Sequence, residues 1–321
     1  VLLEDLCTKF PNAKKRISIG VQSFDPKMIA QMGRTLMNNK LDAALEVAKD
    51  MNIHTSIDLL ANLPHQSQQG MLDDITRAVD LNVPHICVYN LVCYSGLGTE
   101  WAEDPQMQRG LPSRAESIEN MAAIHEKLET LGYEAITLTD FQKRGSGESG
   151  RYRYEEDIRQ PEYVNWWGIG PGGISVLWDK IYATKLVNPQ LSTNYIEKLS
   201  TCSPISTSTW DKAYLYTPIE RKVYWLTRQI KGLKIDPLQY QRLFQSQMES
   251  DFAPLWPLFR EQGLLDAHYT LTSLGRYFAD SMAGLLVDYI APSALTPRKL
   301  RYASLHKDFR DVHDSRPNFM G

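Results

Sequence analysis

The amino-acid sequence predicts an α/β protein that ends in a mainly helical part. Short apolar segments of strand length, at 16–22, 53–60 and 85–92, alternate with segments in which apolar residues recur at helical spacing. This alternation, repeated about every thirty to fifty residues, is the pattern of βαβ units that build a parallel sheet. After Thr217 the helical pattern predominates, so we expect a separate, mainly helical domain there.

Local signals mark the boundaries of the first helices. The chain opens with Val1 rather than methionine, in what reads as the middle of a helix, so we expect its beginning to be missing. Asp25 is a helix N-cap with proline after it, and Ser113 with Glu116 forms a capping box. A strand at 133–138 is predicted to follow the second of these helices.

The C-terminal part has the order of a winged-helix-like module. Thr217 and Glu220 form a capping box, and three helical patterns, a short hairpin and a last helix follow. Such modules often bind DNA, but residues 218–290 contain eight basic and eight acidic residues. This balance excludes a phosphate-binding face, and we expect a domain that covers a substrate or docks a partner.

These patterns divide the chain into four segments. The first, at 1–141, contains the βαβ units, and a bridging and loop region at 142–215, irregular and rich in aromatic residues from 155, follows it. The winged-helix-like domain occupies 216–290, and the tail at 291–321 is poor in apolar residues and rich in charge.

Composition describes an ordinary globular protein. The chain has 321 residues, 43% of them hydrophobic, and a net charge of −3. No apolar segment approaches the roughly 18 residues of a transmembrane helix, and no signal peptide opens the chain. Four cysteines (Cys7, Cys87, Cys93, Cys202) are too few for a disulfide framework in a chain of this length. We expect a cytoplasmic protein with reduced thiols, no membrane span and no nucleic-acid partner.

Two polar residues interrupt the apolar strand segments. Gln22 ends the first segment and Asp58 lies within the second. An unpaired polar group in a buried strand costs a few kcal/mol, so each side chain needs a partner. Polar groups near the carboxyl ends of parallel strands usually face a ligand. The alternative is that Asp58 caps a turn and Gln22 bonds to backbone.

Seven short segments, in order, carry a resemblance to a known family: Arg-Ile-Ser-Ile-Gly-Val-Gln-Ser-Phe-Asp at 16–25, Met-Gly-Arg at 32–34, Ser-Ile-Asp-Leu-Leu-Ala-Asn-Leu-Pro at 56–64, His-Ile-Cys-Val-Tyr-Asn-Leu at 85–91, Gly-Tyr-Glu at 132–134, Trp-Gly-Ile-Gly-Pro-Gly at 167–172, and Leu-Thr-Ser-Leu-Gly-Arg at 271–276. They resemble the radical S-adenosylmethionine (SAM) family of oxygen-independent coproporphyrinogen III oxidases, which includes haem-chaperone and anaerobic haem-degrading relatives. The likeness implies the second half of a partial (β/α) barrel followed by a winged-helix-like domain, with about three strand–helix units missing upstream.

The resemblance also implies cofactors. Members bind SAM and a [4Fe–4S] cluster held by a Cys-x-x-x-Cys-x-x-Cys loop, and they receive electrons from a donor such as flavodoxin or ferredoxin. This chain has no such spacing, so we expect the cluster only in the full-length parent. The chain alone is then predicted to be inactive, with no catalytic residue and no metal ligand of its own. Cys87 and Cys93 are expected to be buried thiols.

The site residues follow from matched positions. By resemblance, Gln22 and Asp58 bind the adenosyl ribose, Arg34 binds the methionine carboxylate, and the glycine turn with Gly168 and Gly170 lies near the adenosyl group. A surface salt bridge is the alternative for Arg34. The glycine turn also fits Gly-x-Gly-x-x-Gly, which leaves a nicotinamide oxidoreductase as a remote alternative, although no βαβ unit opens there.

The implied substrate is a tetrapyrrole. Coproporphyrinogen carries four propionates, and Arg151 and Arg153, with Lys143 and Arg144, are candidate cations for them in a glycine-rich loop. A solvated loop is the alternative for each of these residues. The expected function is therefore a coproporphyrinogen III oxidase-like oxidoreductase that uses a 5′-deoxyadenosyl radical. A haem-binding chaperone on the same scaffold is the second hypothesis.

Overall fold

The computed structural model describes residues 2–34, 38–93, 100–145, 153–180, 183–201 and 210–290. Within these ranges the chain forms two compact units, one from residue 2 to residue 145 and one from residue 153 to residue 290, and each is described by itself. Arg151, Cys202 and the predicted tail at 291–321 lie outside the described residues.

The first unit is built on a five-stranded sheet with the order β1-β2-β3-β5-β4. Strands β1, β2 and β3 run parallel, and β5 is antiparallel to both β3 and β4. The strands are β1 Arg16–Gln22, β2 His54–Ala61, β3 His85–Asn90, β4 Tyr133–Ala135 and β5 Asp140–Lys143. The helices are α1 Leu2–Lys9, α2 Pro26–Gln31, α3 Asn38–Asp50, α4 Gln68–Asp80, α5 Glu100–Glu103, α6 Pro105–Gly110 and α7 Arg114–Thr130.

Capping residues set the helix starts as predicted. Asp25 accepts from Lys27 N ahead of the proline that opens α2. The capping box of Ser113 and Glu116 opens α7 with both reciprocal hydrogen bonds. These signals are local, and each satisfies backbone N–H groups that the first helical turn leaves without partners.

The core of the first unit lies on one face of the sheet. Its alternate residues, such as Ile57, Ile86 and Phe141, are fully buried and pack with apolar residues of the helices, such as Ile75 and Leu128. Burial of one such side chain stabilises the fold by about 1.5–3 kcal/mol. The apolar residues of the sheet therefore face the helices, and the opposite face is left to polar side chains.

The last strand of the sheet differs from the prediction of one strand at 133–138. Strand β4 ends at Ala135, a tight turn follows in which Ile136 N and Thr137 N donate to Asp140 O, and β5 returns antiparallel. The sheet is thus parallel in its first three strands and mixed beyond them. Asp140 is brought by this turn beside β3, where it pairs with Cys87.

The second unit begins with a region that was predicted to be irregular, and this prediction is wrong in part. It contains a three-stranded antiparallel sheet of β6 Ile174–Trp178, β7 Ala183–Val187 and β8 Lys212–Leu215. Helix α8 Tyr154–Ile158 precedes these strands in the sequence, and helix α9 Ser192–Thr201 lies between β7 and β8. Each of these strands has only four or five residues, which is too short for its sequence pattern to be recognised.

The rest of the second unit is mainly helical. The helices are α10 Pro218–Lys231, α11 Pro237–Phe244, α12 Met248–Asp251, α13 Leu255–Glu261, α14 Ser273–Tyr277 and α15 Ala279–Ile290. The segment between α13 and α14 folds back on itself through an antiparallel bridge between Leu265 and Leu271. A second antiparallel bridge joins Thr270 of this segment to Lys234, which follows α10. Helices, a small wing and a final helix give the predicted winged-helix-like order. Among the described residues, no helix is both long enough and apolar enough to cross a bilayer.

Candidate functional site

The open face of the five-stranded sheet carries a row of polar residues. Gly20, Asp58, Cys87 and Asp140 are direct neighbours across β1, β2, β3 and β5. Alternate residues of a strand lie on the same face, so this row lies on the face opposite the core. The register of the strands brings together residues that are far apart in the sequence.

Gln22 lies in a strained turn at the end of β1. Its φ is 70°, and Ser23 N donates to Val21 O across it at 2.9 Å. A γ-turn with positive φ is rare and strained for a residue with a side chain. The strand register also shifts between Gly20 and Gln22. Strain of this kind persists only where the surrounding structure holds it, and it is typical of ligand sites.

The residue that holds this turn is Asp74 of α4, which the sequence analysis missed. Ser23 Oγ donates to Asp74 Oδ2 and Phe24 N donates to Asp74 Oδ1, each at 2.7 Å. Gln66 Nε2 also donates to Oδ2 at 3.1 Å. Burial raises the pKa of Asp74, and the hydrogen bonds from Ser23 and Phe24 act against that rise. In the sequence, Asp74 looks like any polar residue of an amphipathic helix.

Arg34 follows α2 through a glycine cap. Gly33 has a φ of 66° and donates to Ala30 O, while Arg34 N donates to Ile29 O, both at 3.0 Å. These two bonds form a Schellman motif, whose left-handed position favours glycine. The cap directs the chain back toward β1, and Arg34 Nη1 lies 3.4 Å from Gly20 O.

The three predicted SAM ligands of this unit meet around Gly20. A Cβ on Gly20 would lie 2.7 Å from Gln22 Nε2 and 3.9 Å from Arg34 Nη1. Asp58 is the residue paired with Gly20 on the neighbouring strand. An amide, a guanidinium and a carboxylate therefore border a strand position that has no side chain. Together they can bind hydroxyl groups and a carboxylate.

Asp58 has neutral hydrogen-bond partners. Ser56 Oγ donates to its Oδ1 at 3.2 Å, and the Cys87 thiol lies close enough to interact with it. Burial raises the pKa of Asp58, and these interactions with the charge of Arg16 oppose the rise. The prediction that Asp58 has partners is confirmed. The residue is half-buried, and its interactions do not fully offset the effect of burial on its pKa.

A second polar group lies deeper on the same face, and the sequence analysis did not predict it. Arg16 Nη2 donates to Ser56 Oγ at 2.9 Å and to Cys87 Sγ at 3.3 Å. Cys87 Sγ donates to Asp140 Oδ1 at 3.0 Å. Burial and the carboxylate of Asp140 raise the pKa of the Cys87 thiol. The neighbouring His85 stays neutral, because burial and then the charge of Arg16 lower its pKa to about 4.

Gly168 and Gly170 belong to the second unit, where they form a tight turn. Gly168 N donates to Ser175 Oγ at 3.0 Å, and Asn188 Nδ2 donates to both glycine carbonyls at 2.9 Å. A Cβ on Gly168 would lie 2.3 Å from Ile174 N. The turn opens the antiparallel β6–β7 pair, so it lacks the strand–helix context of a dinucleotide fingerprint.

The candidate substrate cations are spread over both units. Lys143 and Arg144 are exposed in the first unit, where they donate to Asn82 Oδ1 and Glu129 O. Arg153 is exposed at the residue before α8 in the second unit. Their assignment to a propionate-binding loop stays a prediction.

The cysteines do not fit a [4Fe–4S] cluster. Cys87 is buried, as expected, and hydrogen-bonded to Asp140, while Cys7 and Cys93 are only partly buried. The expectation of a buried thiol is thus wrong for Cys93, which accepts from Gln108 Nε2 at 3.5 Å. The chain has no Cys-x-x-x-Cys-x-x-Cys spacing, and we derive no cluster chemistry for these residues.

Comparison with known proteins gives consistent relatives, although no family model matches the chain. It is 27% identical over 158 residues to heme chaperone HemW of Escherichia coli, covering 49% of this chain and 39% of the relative. It is 24% identical over 189 residues to HemW of Bacillus subtilis, covering 58% and 46%. The identity to HemW of Mycobacterium tuberculosis is 24% over 288 residues, covering 85% and 65%. The chain thus spans less than two thirds of these relatives.

A solved structure shows the same fold. Coproporphyrinogen III oxidase HemN of Escherichia coli, described as a radical SAM enzyme, superposes with a TM-score of 0.68 at 18% sequence identity. The match covers 90% of this chain and 68% of that one. On these findings, the chain has the fold of this radical SAM enzyme, including a mainly helical C-terminal part, and its sequence is similar to those of proteins named heme chaperone HemW.

Proposed function

We propose that this chain binds SAM on the open face of the five-stranded sheet, at the carboxyl end of β1. The observation that carries the proposal is the convergence of Gln22, Arg34 and Asp58 around Gly20. The guanidinium of Arg34 would pair with the methionine carboxylate, and the amide and the carboxylate would bind the ribose hydroxyls. For Gly168 and Gly170, contact with the adenosyl group stays a proposal that rests on the resemblance alone.

The whole protein, we propose, acts on a tetrapyrrole, and two activities fit. One is oxidation of a coproporphyrinogen-like substrate through a 5′-deoxyadenosyl radical, with a [4Fe–4S] cluster and an electron donor such as flavodoxin or ferredoxin. The other is binding and transfer of haem. The curated relatives carry the name heme chaperone, which favours the second. In either case Arg151 and Arg153 are proposed partners for propionates.

The SAM proposal is tested by calorimetric titration of the purified chain with SAM and S-adenosylhomocysteine. Arg34→Met and Asp58→Asn should each weaken binding about tenfold to a hundredfold, because each removes a charge-assisted hydrogen bond. The matched control is Arg77→Met, an exposed arginine on α4, which should leave the affinity unchanged. Equal affinities in all variants would contradict the assignment of the site.

The choice between the two activities is tested by absorbance titration with haem. A complex that saturates at one haem per chain, with no product formed from coproporphyrinogen under reducing conditions, supports a chaperone. Substrate-dependent release of 5′-deoxyadenosine supports the oxidase-like activity. Binding of neither haem nor coproporphyrinogen would contradict a tetrapyrrole substrate altogether.

A further inference from the structure

Three side chains on the open face of the sheet place potential metal ligands together. His85 and Cys87 lie two residues apart on β3, and Asp140 is the first residue of the antiparallel strand β5. Their ligand atoms all lie within 4.8 Å of one another. The Cys87 Sγ–Asp140 Oδ1 distance is 3.0 Å, and the His85 Nε2–Asp140 Oδ1 distance is 3.6 Å. All three residues are buried.

Both ring nitrogens of the histidine in this cluster are buried. In the part of the chain that the structure describes, neither Nδ1 nor Nε2 of His85 makes a hydrogen bond, although the residue is only 3% exposed. Buried polar groups in native proteins are nearly always paired, and an exception needs an explanation. A ligand bound at Nε2, the nitrogen that lies toward Asp140, would provide one.

The distances suit a small tetrahedral ion. Zinc binds sulfur at about 2.3 Å and nitrogen or oxygen at about 2.0–2.2 Å, so its ligand atoms lie about 3.2–3.8 Å apart. The two measured separations come within a few tenths of an ångström of that range. Three protein ligands of the types N, S and O also leave one coordination position open, as in catalytic zinc sites.

The surrounding charges are compatible with a divalent ion. A metal-bound thiol is deprotonated, so Cys87, Asp140 and the adjacent Asp58 would supply three negative charges. Arg16, whose Nη2 is 3.3 Å from Cys87 Sγ and 4.0 Å from an oxygen of Asp140, supplies one positive charge. A divalent ion would bring the group to neutrality, which is the arrangement that a buried cluster favours.

We propose that His85, Cys87 and Asp140 bind a divalent transition metal ion, zinc being the ion that their mixed nitrogen, sulfur and oxygen ligands suit best. This site is separate from the cluster that the family resemblance implies, because it uses one thiolate and lies within the sheet. Its three ligands are not among the residues proposed to bind SAM, although Asp58 lies beside both groups. The competing explanation is a hydrogen-bonded cluster in which the Cys87 thiol donates permanently to Asp140.

The test uses Co²⁺ as a spectroscopic probe with the full chain, after reduction and removal of metals by a chelator. We expect thiolate-to-cobalt charge-transfer absorption that saturates at one ion per chain and is displaced by Zn²⁺. Cys87→Ser should abolish this absorption. The matched control, Cys93→Ser, should retain it, because Cys93 is a partly buried thiol that accepts from Gln108 outside the cluster.

Two further variants separate metal binding from folding. Asp140→Asn keeps the thiol and nearly the same shape, and it should keep the absorption while weakening the Co²⁺ affinity at least tenfold. His85→Gln should weaken the affinity by a similar factor. Circular dichroism and urea unfolding establish that each variant is folded. The proposal is overturned if the unmodified chain shows no absorption, if Cys87→Ser retains it, or if a folded Asp140→Asn binds Co²⁺ as tightly as the unmodified chain.

Discussion

Two carboxylates of this chain, Asp58 in the sheet and Asp251 in the helical part, both accept hydrogen bonds from side chains, but their pKa values are shifted in opposite directions. Asp251 Oδ2 accepts from Lys222 Nζ at 2.8 Å, from Tyr240 Oη at 2.6 Å and from Ser246 Oγ at 2.7 Å. Burial opposes its ionisation, but these hydrogen bonds outweigh that effect and lower its pKa.

Among the residues that the structure describes, Asp58 has no such direct cationic partner. Burial raises its pKa, and the neighbouring Cys87 thiol, the hydroxyl donor Ser56 and the charge of Arg16 only oppose that rise. The contrast shows what a cation in direct contact does to a carboxylate. Asp251, paired with Lys222, stabilises the fold, whereas Asp58 is left able to interact with a ligand. The first is satisfied within the protein, and the second retains capacity to accept hydrogen bonds.

The largest expected effect is the loss of stability in Asp251→Asn. Removal of this charge leaves Lys222 without its ion-pair partner and weakens two further hydrogen bonds, so the free energy of unfolding should fall by about 2–3 kcal/mol. The measurement is urea unfolding at neutral pH. Asp58→Asn is the comparison variant, and its stability should change by less than about 1 kcal/mol. Equal losses of unfolding free energy in the two variants would contradict the expected difference between the two carboxylates.

The next effect concerns Asp74, which clamps the strained turn at Gln22. Asp74→Asn replaces one acceptor oxygen with an amide group that cannot accept from Ser23 Oγ or Gln66 Nε2. We expect a loss of about 1–2 kcal/mol of stability and SAM binding weakened by about tenfold, which corresponds to about 1.4 kcal/mol. Asp73→Asn, at an exposed position of the same helix, is the control. A variant that loses stability but binds SAM normally would show that the turn serves the fold alone.

The contribution of Asp251 should also depend on pH. Because its folded-state pKa is lowered, its stabilisation is complete above the ordinary carboxyl value of 3.8 and is lost as the pH falls through the folded value. The difference in unfolding free energy between the unmodified chain and Asp251→Asn should therefore be constant from pH 7 to pH 5 and shrink toward pH 3. Urea midpoints at these three pH values measure it. If this difference in unfolding free energy grows as the pH falls, the prediction is wrong.

The smallest expected effect comes from Gly20→Ala. The added methyl group would lie 2.7 Å from Gln22 Nε2, so the flexible amide must move while the backbone stays in place. We expect SAM binding to weaken a few-fold and the unfolding free energy to change by less than about 0.5 kcal/mol. Calorimetry and urea unfolding measure the two quantities. Unchanged binding would place the adenosyl group away from Gly20.

A feature can be predicted from the sequence when the residues that form it lie close together in the chain. The caps at Asp25, Ser113 and Thr217 depend on residues within one helical turn, and the structure has all three. Gln22, Arg34 and Asp58 were found through segments that resemble a known family, and the structure brings them together around one glycine.

The features that the sequence did not predict depend on strand register and on partners far along the chain. Arg16, Cys87 and Asp140 are separated by 71 and 53 residues and meet only because three strands align. The hydrogen bond between Ser23 and Asp74 joins residues 51 positions apart. The antiparallel return of β5 and the small sheet of the second unit involve strands of only four or five residues, whose patterns are too short to recognise.

The glycine cap that follows α2 has a consequence for the length of this segment. An α-helix turns by about 100° and rises about 1.5 Å for each residue, and the Schellman bonds fix Arg34 directly to the last turn of α2. Insertion or deletion of one residue in α2 would therefore rotate the guanidinium away from Gly20 O. Substitutions on the exposed side of the helix leave that angle unchanged. The number of residues between Gln22 and Arg34 is thus a geometric requirement of the site, while the identity of most of them is not.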